Sequence, residues 1–184
     1  MANTATNVSV GKPKVAGSIY MAPLGTTLPT DSTTALGAAF TALGYVSEDG
    51  LTNRTEIDGS EVLRAWGGDA VNTVDGTKTD IFEFALIEAL NADVLKAYYG
   101  SGNVTESSGA ITVAVDGSLP AHAVYVVDML LKGNRAKRIV IPDGAVTELG
   151  DIVYQDDALI EYPITLTAMA DTSGKTHYEY IAAA

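Results

Sequence analysis

Histidine titrates near neutral pH and ligates metals, so the histidines are weighed first. The chain has two, His122 and His177, and their separation is not a metal-ligand spacing. Ser118, His122 and Asp128 can be written as nucleophile, base and orienter, but a triad is defined by geometry and not by nearness in sequence. Asp128 falls inside an apolar run, which reads as a strand carrying one paired acid. Asp171-Thr-Ser-Gly-Lys-Thr176 ends like a phosphate-binding loop. The first glycine of that motif belongs at position 169, which is Met169, so the segment reads as a turn. Asp156 and Asp157, with Glu161 nearby, fall short of the about six oxygens a calcium site gathers. The chain has no cysteine, which excludes disulfides, thiolate metal sites and thiol nucleophiles. The inventory gives no catalytic residue, no metal site and no cofactor.

Two charge features stand out. Lys132-Gly-Asn-Arg-Ala-Lys-Arg138 gathers Lys132, Arg135, Lys137 and Arg138 in a chain with only 11 basic residues. Between two apolar runs it reads as a basic hairpin tip, a docking point for an acidic surface such as Glu48-Asp49 or Asp156-Asp157. Residues 47–60, SEDGLTNRTEIDGS, read as a long polar loop of the kind that makes contacts. Glu48, Asp49, Arg54, Glu56 and Asp58 would supply its polar contacts, and Leu51 or Ile57 its apolar anchors.

The elements that must position these groups are mostly strands. In Thr79–Leu86, Phe82, Phe84 and Leu86 share one face while Ile81, Glu83 and Ala85 share the other. Val124–Leu131 is apolar except for Asp128. Ile160, Tyr162, Ile164 and Leu166 alternate with Glu161, Pro163, Thr165 and Thr167, and Pro163 predicts an edge strand or a bulge. Further strands are expected at 17–22, 44–46, 111–115, 137–141 and 177–181. One or two helical turns are expected over 35–43, with Thr34 as cap. Asp-Gly pairs starting at Asp49, Asp58, Asp75, Asp116 and Asp143 mark turns. One helix is clear, capped by Asn91 and stopped by Gly100. The fold class is therefore mainly β, an antiparallel sandwich or barrel with one flanking α-helix. Residues 1–15 read as a flexible arm that orders only against a neighbour, residues 16–181 as a single domain, and residues 182–184 as a tail.

The 184 residues carry 23 acidic side chains against 11 basic, a formal charge of −12. Such a surface repels nucleic acid and gains nothing from anionic lipid headgroups. No apolar run reaches the ~18–20 residues of a membrane span, and the N-terminus lacks the basic-then-apolar order of a secretory signal. A free arm, a long contact loop and 47% hydrophobic residues suit self-association.

The stretches VGKPKVAGSIYMAPLGTTLPTD (10–31), LGYVSEDGLTN (43–53), LRAWGGDAV (63–71), LIEALNADVLKAYYG (86–100), VDMLLKG (127–133), KRIVIPDG (137–144) and ITLTAMADTSGKTHYEYI (164–181) resemble the major tail tube proteins of long non-contractile-tailed bacteriophages. The resemblance implies a structural virion protein, made late and assembled in the bacterial host cytoplasm. Its subunits would form hexameric rings, stacked into a tube around a tape-measure protein and closed by tail-end proteins. DNA would pass through the tube without specific binding. In such a tube the sheet face turned away from the core meets the channel, which assigns Glu83, Glu161, Thr165 and Thr167, joined by Asp128, to the lumen. The alternative is a ligand- or carbohydrate-binding β-sandwich, which needs an exposed aromatic platform; Trp66 is its one tryptophan.

Overall fold

Apolar alternation selects which strands share a core, and the sheet follows it. The computed structural model describes residues 3–14 and 18–183. Met1, Ala2 and Val15 of the expected arm, Ala16 and Gly17 at the start of the expected domain, and Ala184 of the expected tail lie outside the described residues. In chain order the elements are β1 (Lys12–Pro13), β2 (Ile19–Pro23), β3 (Thr41–Ala42), β4 (Val46–Asp58), β5 (Glu61–Arg64), β6 (Ala70–Val74) and β7 (Thr77–Leu86). Helix α1 (Ala92–Tyr99) is followed by β8 (Val104–Ser107), β9 (Ala110–Val113), β10 (Ala123–Leu131), β11 (Arg135–Leu149), β12 (Tyr162–Ala168) and β13 (Tyr178–Ile181).

Nine strands form one antiparallel sheet in the order β3-β2-β10-β11-β12-β7-β4, with β1 on β10 and β13 on β11. The long strand β11 belongs to both halves. Its first part pairs with β10 and β13, and from Gly144 onward it pairs with β12. Gly144 sits at the change of partner, where a Cβ would stand 2.6 Å from the Tyr125 ring, so the close approach there requires glycine. Between the halves lie Phe82, Phe84, Leu86, Tyr125, Val127, Ile139, Ile141, Ile164 and Leu166, closed at one side by Val94, Leu95 and Tyr98 of α1. The expected mainly β class with a flanking helix is the observed one. Asn91 Oδ1 accepts from Asp93 N (2.9 Å) at the helix start, and Gly100 ends it.

Several local expectations need correction. Residues 47–60 are not a loop; all but the last two lie in β4, hydrogen-bonded to β7 from Leu51 to Asp58. Alternation is masked there because both faces of the outer ribbon are wet. Residues 35–40 form no helix but hold one turn at 38–39, closed by Phe40 N donating to Gly37 O (3.0 Å), and Thr41–Ala42 is a strand. Asp31 organises this segment, accepting from the Thr33 and Thr34 backbone N–H groups. Arg138 takes the carbonyls of Asp31 and Thr34, which a helix would turn along its own axis. β12 is interior and not an edge strand. Pro163 is tolerated because its carbonyl accepts from Gly150 N (3.0 Å), so its missing N–H points to the same side, where β11 has ended. Asp49-Gly50 and Asp143-Gly144 lie within strands. The expected arm is partly held: β1 pairs with β10, and Lys14 N donates to Asp128 O (3.1 Å).

Candidate functional site: an acidic sheet face and a protruding ribbon

The half-sheet β11–β12–β7–β4 has one face on the core and one on solvent. Its register aligns Thr52 with Glu83, Glu83 with Thr165, and Thr165 with Glu148; the next row holds Arg54, Ile81, Thr167 and Ala145. Glu83, Thr165 and Thr167 therefore share the outer face, as their parity requires, and Glu161 lines the same shallow hollow as Glu83, Glu148 and Asp49. Ile81 and Ala145 are buried in this face, and the polar side chains around them include Thr147 and Thr167, whose hydroxyls lie 3.0 Å apart. The face's one cation, Arg54, is already committed, with Nη2 2.9 Å from Glu83 Oε1 and Nη1 on Glu56. The charge left over is negative. Glu148 and Thr52 belong to this face and escaped the sequence reading. Glu148 follows a bulge between Val146 and Glu148, which resets parity in a way no alternation pattern reveals.

Asp128 does not join that face. It is buried on β10, on the far side of the other half-sheet, where Arg138 Nε and Nη2 donate to its two oxygens at 2.6 and 2.8 Å. Arg138 is 1% exposed. Its remaining nitrogen, Nη1, donates to the carbonyls of Asp31 and Thr34 at 3.0 Å each, pinning loop 24–40 to β11. The Asp128 carboxylate raises the Arg138 pKa further. The basic tip is thus dispersed. Arg135 Nε donates to Ala182 O (3.0 Å), Lys137 pairs with Glu179 (2.8 Å) across to β13, and Lys132 alone is exposed at the turn. Leu51 packs at the fringe of the core, while Glu48, Asp49, Arg54, Glu56, Ile57 and Asp58 are exposed on β4.

Beyond the body, β4 and β7 run on as a ribbon capped by the β5–β6 hairpin, and every residue from 52 to 75 is exposed. Asp80 holds the root of this ribbon. It is buried, and accepts from Thr55 of β4 (2.8 Å) and from Thr176 ahead of β13 (2.6 Å), with Lys78 Nζ at 3.3 Å. Burial alone would raise its pKa; the hydrogen bonds from Thr176, Thr55 and Lys78 outweigh burial and hold it below the ordinary value.

The written-out triad is not assembled: His122 Nδ1 meets Asp143 (2.7 Å), and Ser118 bonds Asp116. Asp171 to Lys175 close an Asx turn, with Asp171 accepting from Ser173 N and Lys175 N. Among the described residues no group of three His, Cys, Asp or Glu could hold a metal ion. Trp66 has no aromatic partner among the described residues, so no platform is built around it.

A wet polar face and a long projecting ribbon are features of a subunit made to join others. A family model described as phage tail tube protein matches residues 1–184, and no curated protein matches the chain. The chain belongs to the phage tail tube proteins, a structural family of the virion tail.

Proposed function

We propose that copies of this chain form hexameric rings that stack into a tube, with the outer face of β11–β12–β7–β4 lining a channel for DNA. The observation that carries this is the hollow on that face, lined by Asp49, Thr52, Glu83, Glu148, Glu161 and Thr165 and left negatively charged after Arg54 is paired with Glu83 and Glu56. A channel wall of this kind repels phosphates and gives them no cation to bind, so DNA slides along it. The rings would surround a tape-measure protein until DNA replaces it, and tail-end proteins would close the tube. In this assembly Glu48, Asp49, Arg54, Glu56, Ile57 and Asp58 of β4, with Lys132, contact neighbouring copies. Negative-stain microscopy across a concentration series tests the proposal. Sixfold rings or tubes are expected, and a monodisperse monomer at every concentration would overturn it.

A further inference from the structure

A two-stranded hairpin with both faces in water is marginally stable, so apolar residues placed on one need a partner. The β5–β6 hairpin carries Val62, Leu63, Trp66, Val71 and Val74, all exposed. Trp66, the only tryptophan, is fully exposed at the tip. The tip is tightly closed: Arg64 Nη1 donates to Gly68 O (2.9 Å), Gly68 N to Ala65 O (2.8 Å) and Ala65 N to Asp69 O (2.8 Å). The indole is thus presented on an ordered turn. Over residues 58–75, four carboxylates (Asp58, Glu61, Asp69 and Asp75) oppose one cation, Arg64.

An acidic apolar tip is repelled by the hollow on the β11–β12–β7–β4 face, which Asp49, Glu83, Glu148 and Glu161 line. The hollow between the N-terminal segment and the β10–β11 turn has the opposite character. Val8, Val10, Leu130 and Leu131 form its apolar wall, Lys12 and Lys132 stand beside them, and no acidic residue lines it. Its volume is about 460 Å³. The groove is built, with Ser9 Oγ accepting from Lys132 N (2.7 Å) and β1 paired to β10. Val8 and Val10 remain 70% and 65% exposed on it.

We infer that, within the assembly proposed above, on which this contact depends, the Trp66 hairpin of one copy inserts into the Val8–Val10–Leu131 groove of a second copy. Lys12 and Lys132 then meet the acidic flanks of the hairpin. Donor and acceptor are different patches, so the contact is head-to-tail and propagates. A growing assembly ends in free hairpins on one side and free grooves on the other.

The sole tryptophan reports the contact in the full-length protein. Its emission shifts to the blue and its quenching by acrylamide falls on assembly. Trp66→Ala, Val10→Asp and Lys132→Glu each raise the critical concentration, the aromatic truncation by at least about tenfold, as loss of a central hot spot does. These positions are exposed, so circular dichroism of the monomers stays native. Trp66→Ala retains a groove and Val10→Asp retains a hairpin. Purified separately and then mixed, they advance by one contact and stop, which sedimentation velocity resolves. A parent that forms tubes while Trp66 stays exposed overturns this contact alone, as do variants that assemble like the parent or a mixture that fails to advance. A parent that never assembles overturns the assembly itself and this contact with it.

Discussion

Asp128 and Arg138 are a charge pair removed from water, and removal from water decides what each mutation does. The two-pronged geometry and the carbonyls of Asp31 and Thr34 satisfy the guanidinium. Asp128→Ala leaves that cation buried and unpaired, and is expected to cost about 3–5 kcal/mol in urea denaturation. Asp128→Leu with Arg138→Met should recover much of that loss while freeing loop 24–40, seen as faster proteolysis within the loop. Asp80 gives a pH signature. Its pKa is below the ordinary 3.8 in the folded state, so the folded chain binds fewer protons there than the unfolded chain. Its contribution is complete above that ordinary value and is lost as pH falls through the depressed one. Asp80→Asn should flatten part of the acid limb of a stability-versus-pH curve, and lower stability at neutral pH by about 1–3 kcal/mol. An unchanged acid limb would show that Asp80 does not carry it.

At the scale of elements, the ribbon is the distinctive piece, and its neck depends on Gly76. A Cβ there would stand 2.3 Å from Asp58 O and 2.8 Å from Ser60 N, both backbone atoms that cannot swing away. Gly76→Ala must therefore spread the neck and tilt the β5–β6 hairpin, while the core strands keep their packing. Native circular dichroism with a rise in assembly concentration of at least about tenfold is the expected result, since a misaimed hairpin loses its central contacts. Gly50 is the control, because a Cβ there meets nothing within 4 Å. Its φ of +72° still makes Gly50→Ala strained, so Gly50→Asn is the fairer substitution.

For the whole molecule, the consequential quantity is the sign of the charge on the outer sheet face. Single exposed ion pairs such as Arg54–Glu83 contribute only ~0.2–1 kcal/mol to the subunit. In the proposed tube, the same charges repeated around the channel would set a field along the path of the DNA. Glu83→Lys with Glu161→Lys should leave subunit stability and ring formation near parental values, and should slow DNA ejection from assembled particles, more so at low salt. Ejection at the parental rate across a salt series would remove this face from the channel wall.

The sequence alone determined the elements whose signal is local. The alternation in Thr79–Leu86 placed Phe82, Phe84 and Leu86 inward and Glu83 outward, because side-chain direction in a strand has period two wherever one face is buried. Asn91 and Gly100 bounded the helix through capping chemistry within a few residues. The family was legible in many short stretches taken together. What only tertiary structure decided depends on partners distant in the chain. Arg138 reads as part of an exposed basic tip until the fold brings Asp128, Asp31 and Thr34 around it. Lys137 is drawn off by Glu179 of β13 and Arg135 by the Ala182 carbonyl just after it, more than forty residues downstream. β4 reads as a loop because its outer half is wet on both faces, so pairing with β7 leaves no hydrophobic period to read. Glu148 lies beyond a bulge that shifts the period by one residue. A local pattern records which face of a strand is dry; which strand lies alongside it, and which charges then lose their water, is settled only when the sheet closes.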